Sequence, residues 1–153
     1  MNRAVPAIFV GGLVAGALDI TYAITFLAMN GRPPMWTLQS VATGLLGRAS
    51  FDGGVRTALL GLLCQFVIAC GAAAIYYLAS RFFSPLVSLA VPAGLVFGVC
   101  IWLVMNFVVL PLSAFPFPQR FTPESVVRNV LVHMFLIGLP IALSVRRYSR
   151  AEA

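Results

Sequence analysis

Residues 86–110 read LVSLAVPAGLVFGVCIWLVMNFVVL. No charged side chain interrupts the run, and about 25 residues at a 1.5 Å rise exceed the roughly 30 Å hydrocarbon thickness of a bilayer. Inside lipid the backbone must satisfy its own hydrogen bonds, which a lone segment achieves only as a helix. The stretch therefore predicts a membrane-crossing helix, and the pattern recurs on both sides of it. On the N-terminal side, residues 55–80 form a second apolar run, opened by the turn Asp52-Gly53-Gly54 and closed by the interfacial pair Tyr76-Tyr77 and by Arg81. Residues 5–29 form another, apolar apart from Asp19 and a few hydroxyl groups. On the C-terminal side a Pro- and Phe-rich loop follows Pro111, and Thr122-Pro123-Glu124 supplies an N-cap, a first-turn proline and a first-turn acid for a last run over 123–145.

Composition agrees with four crossings. The 153 residues are 61% hydrophobic and 9% charged, against nearly half apolar and about a quarter charged in soluble domains. The expected fold is an all-α membrane protein: one transmembrane domain over 1–153, its four helices in an antiparallel bundle. Arg3 ahead of an apolar run and the spacing of Ala15 and Ala17 resemble a signal peptide. The run continues through Ile20, Ile24 and Leu27, which is too long for a signal core, so we expect it to remain.

Between the first two spans, Arg32-Pro33-Pro34 breaks the chain, and over 35–49 Leu38, Val41, Ala42, Leu45 and Leu46 recur at helical spacing opposite Thr37, Ser40, Gly44 and Arg48. This predicts a short amphipathic helix lying in the interface, too short to cross. It reads either as a connector resting on lipid or as a lid over a cavity.

The net charge is +6, and all ten basic residues are arginines. They sit at the edges of apolar runs, where they reach headgroups, so lipid rather than nucleic acid is the expected partner. Arg146, Arg147 and Arg150 form the densest cluster and the candidate headgroup contact. The flanking arginines divide evenly between the two sides. The terminal amine, together with the position of Arg128 inside the last helix, tips the count towards cytoplasmic termini.

Two groups of residues stand out within the spans. Gly12 and Gly16 in the first and Gly94 and Gly98 in the third each form GxxxG, and Gly61 lies on a small-residue stripe of the second with Ala58, Ala69 and Ala72. Such faces let helix backbones approach closely, so contact between the first and third spans, or self-association, is expected. The second group is polar. Counted from the non-terminal side, Asp19, Gln65 and His133 lie roughly 15 Å deep, and Asn106 about 8 Å deep; Asn129 sits one turn above His133. A carboxylate at mid-bilayer costs about 2.5–3.5 kcal/mol on insertion scales, so Asp19 is expected to be partnered, protonated, or both. His133 is the first choice, with Arg128 and Gln65 as alternatives.

Catalytic patterns are missing. The chain has no Walker or Rossmann glycine pattern, no HExxH and no GxSxG. One histidine cannot supply a bis-histidine haem within a monomer, and Cys64, Cys70 and Cys100 form no CxxC pair and read as small buried hydrophobes. We therefore expect no enzyme, no metal and no cofactor.

GLVAG ahead of Asp19, GLVFG leading to Met105-Asn106-Phe107-Val108-Val109-Leu110-Pro111-Leu112, and Val130-Leu131-Val132-His133 ahead of the terminal arginines together resemble the YagU-like inner-membrane proteins of bacteria. The resemblance covers most of the chain and implies a multi-span protein of the bacterial inner membrane. Such sequences are expected to carry another histidine near the position held here by Gln65. The functional expectation is a non-enzymatic membrane subunit or scaffold that packs through its glycine faces against another membrane protein or a second copy. The alternative is an oligomeric proton or small-solute transporter built on the polar layer.

Overall fold

The computed structural model describes residues 3–149, so Arg150 lies outside the described residues. Among these the chain is helical throughout, with no strand. Four helices are long and apolar enough to cross a membrane: α1 (Ala4–Met29), α3 (Gly54–Phe82), α4 (Ala90–Leu112) and α5 (Pro123–Ser149), while α2 (Pro34–Leu46) connects the first two. Most of their large apolar side chains point outward, Val67 and Leu63 among them. A greasy exterior is what lipid as solvent demands.

The interior is built from small residues. Ala7, Ala15, Ala72, Ala73, Ala90 and Ala142 pack with Ile137, Ile141 and Val145 around Tyr76. Tyr76 is therefore not an interfacial anchor. It is 1% exposed, donates its hydroxyl to the Leu86 carbonyl at 2.8 Å and meets the Phe97 ring edge-on at 4.9 Å. Alanines opposite it leave a space that only a large ring fills, and its hydroxyl is satisfied there as a buried phenol requires.

The glycine faces pair differently from the sequence expectation. A Cβ at Gly12 would lie 2.6 Å from Cys70 Cα, and one at Gly16 2.9 Å from the Phe66 ring, so the first GxxxG packs against α3. Added atoms at Gly94 would strike Ala142 at 2.7 Å, and at Gly98 the His133 carbonyl, so the third-span GxxxG packs against α5. Gly138 of α5 closes the same contact against Gly94 and Gly98. The two motifs serve two separate helix pairs, and both faces are filled by this chain's own helices.

Two long helices widen locally. Met105–Val109 in α4 and His133–Gly138 in α5 are π-helical, and each lies just before a proline, Pro111 and Pro140. A proline lacks the N–H that the carbonyl four residues back would use and crowds that carbonyl, and a wide turn relieves both problems. This is why α4 runs on to Leu112 instead of stopping at Pro111. At its other end α4 starts at Ala90, because Pro85–Ser88 forms a separate helical turn broken at Leu89. The last helix begins with the expected cap: Thr122 and Ser125 exchange side-chain and backbone hydrogen bonds in a capping box.

The connector α2 ends at Leu46 and continues as a 3-10 turn, Gly47–Asp52. Its burial cuts across the two expected faces. Thr37, Gln39 and Thr43 are buried with Ala42, whereas Leu45 and Leu46 are exposed. Gln39 donates to the Gly54 carbonyl at 3.1 Å and accepts at its own carbonyl from Ser50 at 2.6 Å. The helix lies against α3 so closely that a Cβ at Gly61 would overlap the Leu38 carbonyl. It is packed into the protein through Thr37, Gln39, Ala42 and Thr43.

Candidate functional site

Asp19 and Gln65 meet across the α1–α3 contact, where Gly16 lets the two backbones come close. Gln65 Nε2 donates to Asp19 Oδ2 at 2.7 Å. The partner of the carboxylate is thus the amide, not the first-choice His133. A neutral amide solvates a carboxylate without cancelling its charge. Arg128, the other alternative, is engaged elsewhere: it pairs with Glu124 at 3.6 Å and lies 4.4 Å from the centre of the Phe26 ring.

The pair opens on a cavity of about 280 Å³ that His133 also lines. The other walls come from every helix of the fold: Ala15 and Gly16 of α1, Ser40, Val41 and Gly44 of α2, Ile68, Ala69 and Ala72 of α3, Ile101, Met105 and Val109 of α4, and Ile137 of α5. Ser113 and Phe115, just past α4, complete it. His133 Nδ1 lies 2.8 Å from the Asn129 carbonyl, one turn earlier. A carbonyl only accepts, so Nδ1 carries the hydrogen and in the neutral ring Nε2 is the acceptor.

The remaining members of the expected polar layer do not join. Asn106 turns back along its own helix and donates to the Trp102 carbonyl at 2.8 Å. It sits in the π-helical turn of α4 and shares the Trp102 carbonyl with the Met105 N–H. The Asn129 side chain is exposed, and this residue's contribution to the site is its main-chain carbonyl under His133. Depth along a helix is legible from counting, but the direction of a side chain near a π-turn shifts with the extra residue.

The cover over one side of the cavity was not foreseen in full. Ala114 N–H donates to the Gly44 carbonyl at 2.9 Å, tying the segment after α4 to α2. Outside that bond a chain of aromatic contacts joins the same two parts. Trp36 stacks on Phe51 at 5.4 Å, Phe51 meets Phe117 at 6.1 Å, and Phe117 meets Phe115 at 5.5 Å. Arg32 caps Trp36 at 4.7 Å and Arg48 caps Phe117 at 5.4 Å, both as cation–π contacts. The clustering of phenylalanines with prolines in the loop was the available signal for Phe115 and Phe117; for Gly138, it was a glycine two residues ahead of an intramembrane proline.

Of the cysteines, Cys64 and Cys70 are half-buried and Cys100 is exposed, so the last is not the buried hydrophobe expected. Arg146 and Arg147 stand in the last turn of α5. Among the described residues no three His, Cys, Asp or Glu side chains come together as a metal site. No family model, no curated protein and no solved structure matches the chain.

Proposed function

We propose that the chain is an antiparallel four-span bundle that binds a proton or a small polar solute at the Asp19–Gln65–His133 pocket and passes it across the membrane. The observation that carries this reading is the 2.7 Å Gln65–Asp19 bond opening on the same cavity as His133. A carboxylate inside a transmembrane helix is expensive, and such residues commonly mark ion and proton paths. Imidazole and carboxylate groups lining one cavity are the chemistry a proton relay uses. The π-turn that begins at His133 favours the same reading, since such turns recur at functional positions.

In this reading α2 and the segment around Ser113–Phe117 form the cover of the pocket, and the arginine-flanked spans set it in the bacterial inner membrane with cytoplasmic termini, as the YagU-like resemblance implies. The chain performs no covalent chemistry. The scaffold reading is weaker, because Gly12, Gly16, Gly94 and Gly98 already pack against the chain's own helices. A partner or second copy would have to use another face.

The test is reconstitution. Purified protein in proteoliposomes carrying an internal pH dye is expected to collapse an imposed proton gradient, and Asp19→Asn to abolish that flux while eluting and melting like the parent. Equal flux from the parent and Asp19→Asn would overturn the proposal.

A further inference from the structure

The hydrogen-bonding inventory of the cavity wall is one-sided. Ser40 Oγ donates to the Thr37 carbonyl at 2.6 Å and Ser113 Oγ to the Leu110 carbonyl at 2.8 Å. Gln65 Nε2 gives one hydrogen to Asp19 at 2.7 Å, and His133 Nδ1 gives its hydrogen to Asn129 at 2.8 Å. Each of these donors is consumed by the protein, leaving only the second amide hydrogen of Gln65. What remains is a set of acceptors: the second oxygen of Asp19, the amide oxygen of Gln65 and His133 Nε2. Much of the rest of the lining is apolar, with Val41, Ile68, Ile101, Met105 and Phe115.

A ligand for such a wall must bring its own donors, carry positive charge against Asp19 and present an apolar body. We infer that the pocket takes a compact lipophilic primary ammonium, its N–H donors on Asp19, Gln65 and His133 and its hydrocarbon or aryl part against the apolar wall. Size agrees. A cavity of about 150 Å³ holds benzene, so 280 Å³ has room for one ring and a short ammonium arm. Asp19 disfavours anions, and a neutral alcohol brings one hydroxyl donor where the ammonium brings three, with no positive charge to set against the carboxylate.

The inference rests on the reading of the pocket as a solute site but not on transport, so it is tested by binding alone. Isothermal titration of the full chain in detergent with phenethylammonium, 2-phenylethanol and phenylacetate compares one shape in three charge states. Phenethylammonium is expected to bind saturably at least tenfold tighter than 2-phenylethanol, with phenylacetate not binding, and Asp19→Asn to remove that advantage. Equal affinity for the ammonium and the alcohol, absence of ammonium binding, or an undiminished preference in Asp19→Asn would each overturn the inference. Ammonium binding without proton flux would sustain the pocket's ligand class while removing the transport reading; flux without ammonium binding would do the reverse.

Discussion

Gln65 donates to Asp19 across 2.7 Å, joining residues 46 positions apart on two different helices. Between them the pair fastens α1 to α3 at the level of the cavity, and neither group has an equivalent substitute there. A carboxylate left alone in this setting loses its solvation; an amide left alone loses much less.

A double-mutant cycle on this pair, with Asp19→Leu, Gln65→Leu and the combination, is expected to give a coupling of about 1–1.7 kcal/mol, the upper part of a range that averages about 0.6 for membrane-interior hydrogen bonds. Unfolding of the purified protein in mixed micelles measures it. The Gln65→Leu variant should be the less stable single mutant, because it strands the charge. Additive effects would mean that the two groups do not support each other.

Glycine substitutions separate close backbone contact from mere flexibility. Gly98→Ala and Gly138→Ala each drive a Cβ into the backbone of a facing helix, and such overpacking costs typically about 1–3 kcal/mol, more where backbone is the obstacle. Gly71 has no heavy atom within 4 Å of an added Cβ, and Gly71→Ala should be neutral or slightly stabilising through helix propensity. Thermal midpoints in one detergent rank the three. A Gly98→Ala protein melting with the parent would contradict the α4–α5 contact described above.

The cover can be locked. A Cβ built at Gly44 lies 3.9 Å from Ser113 Cβ, within the roughly 3.5–4.5 Å range of disulfides. Gly44→Cys with Ser113→Cys, in a background lacking Cys64, Cys70 and Cys100, is expected to oxidise readily and to be read as a mobility shift reversed by reductant. Solute access to the pocket should fall in the oxidised protein and return on reduction. Rapid crosslinking with unaltered access would show that these two segments do not gate the cavity.

At the start of α5, Thr122→Ala removes the acceptor for the Ser125 N–H, 3.2 Å away. Loss of such a cap costs about 0.5–2 kcal/mol. A drop in the thermal midpoint without change in the pocket's ligand preference is the expected result; rescue by Thr122→Ser would tie the loss to the hydroxyl.

Much of the architecture is written in the chain as a one-dimensional pattern. Uncharged runs longer than the bilayer core set the number of spans, and Thr122-Pro123 and Asp52-Gly53 mark their ends, because helix length and capping depend on neighbours a few residues away. Position along a run is equally local, so counting groups Asp19, Gln65 and His133, and the three line one cavity. What a side chain faces is a different kind of quantity. The α1 motif could have met α4 as plausibly as α3, and only the assembled helices put Gly12 on Cys70 and Gly98 on the His133 carbonyl.

The same division explains the misplaced residues. Apolar spacing over 35–49 gives the helix α2, but which of its side chains are buried, Gln39 against Gly54 and Ser50 among them, depends on what packs beside it. Asn106 and Asn129 lie in or next to helix segments re-registered by a π-turn, so their directions follow from the prolines further along and from the contacts of Gly138. Sequence by itself determined the four long apolar helices and the capped start of α5, since these follow from composition and bonds within a few residues. Only the tertiary structure decided the partner of Asp19, the pairing of the glycine faces and the cover over the cavity, because each is a contact between segments that the chain leaves free to meet several others.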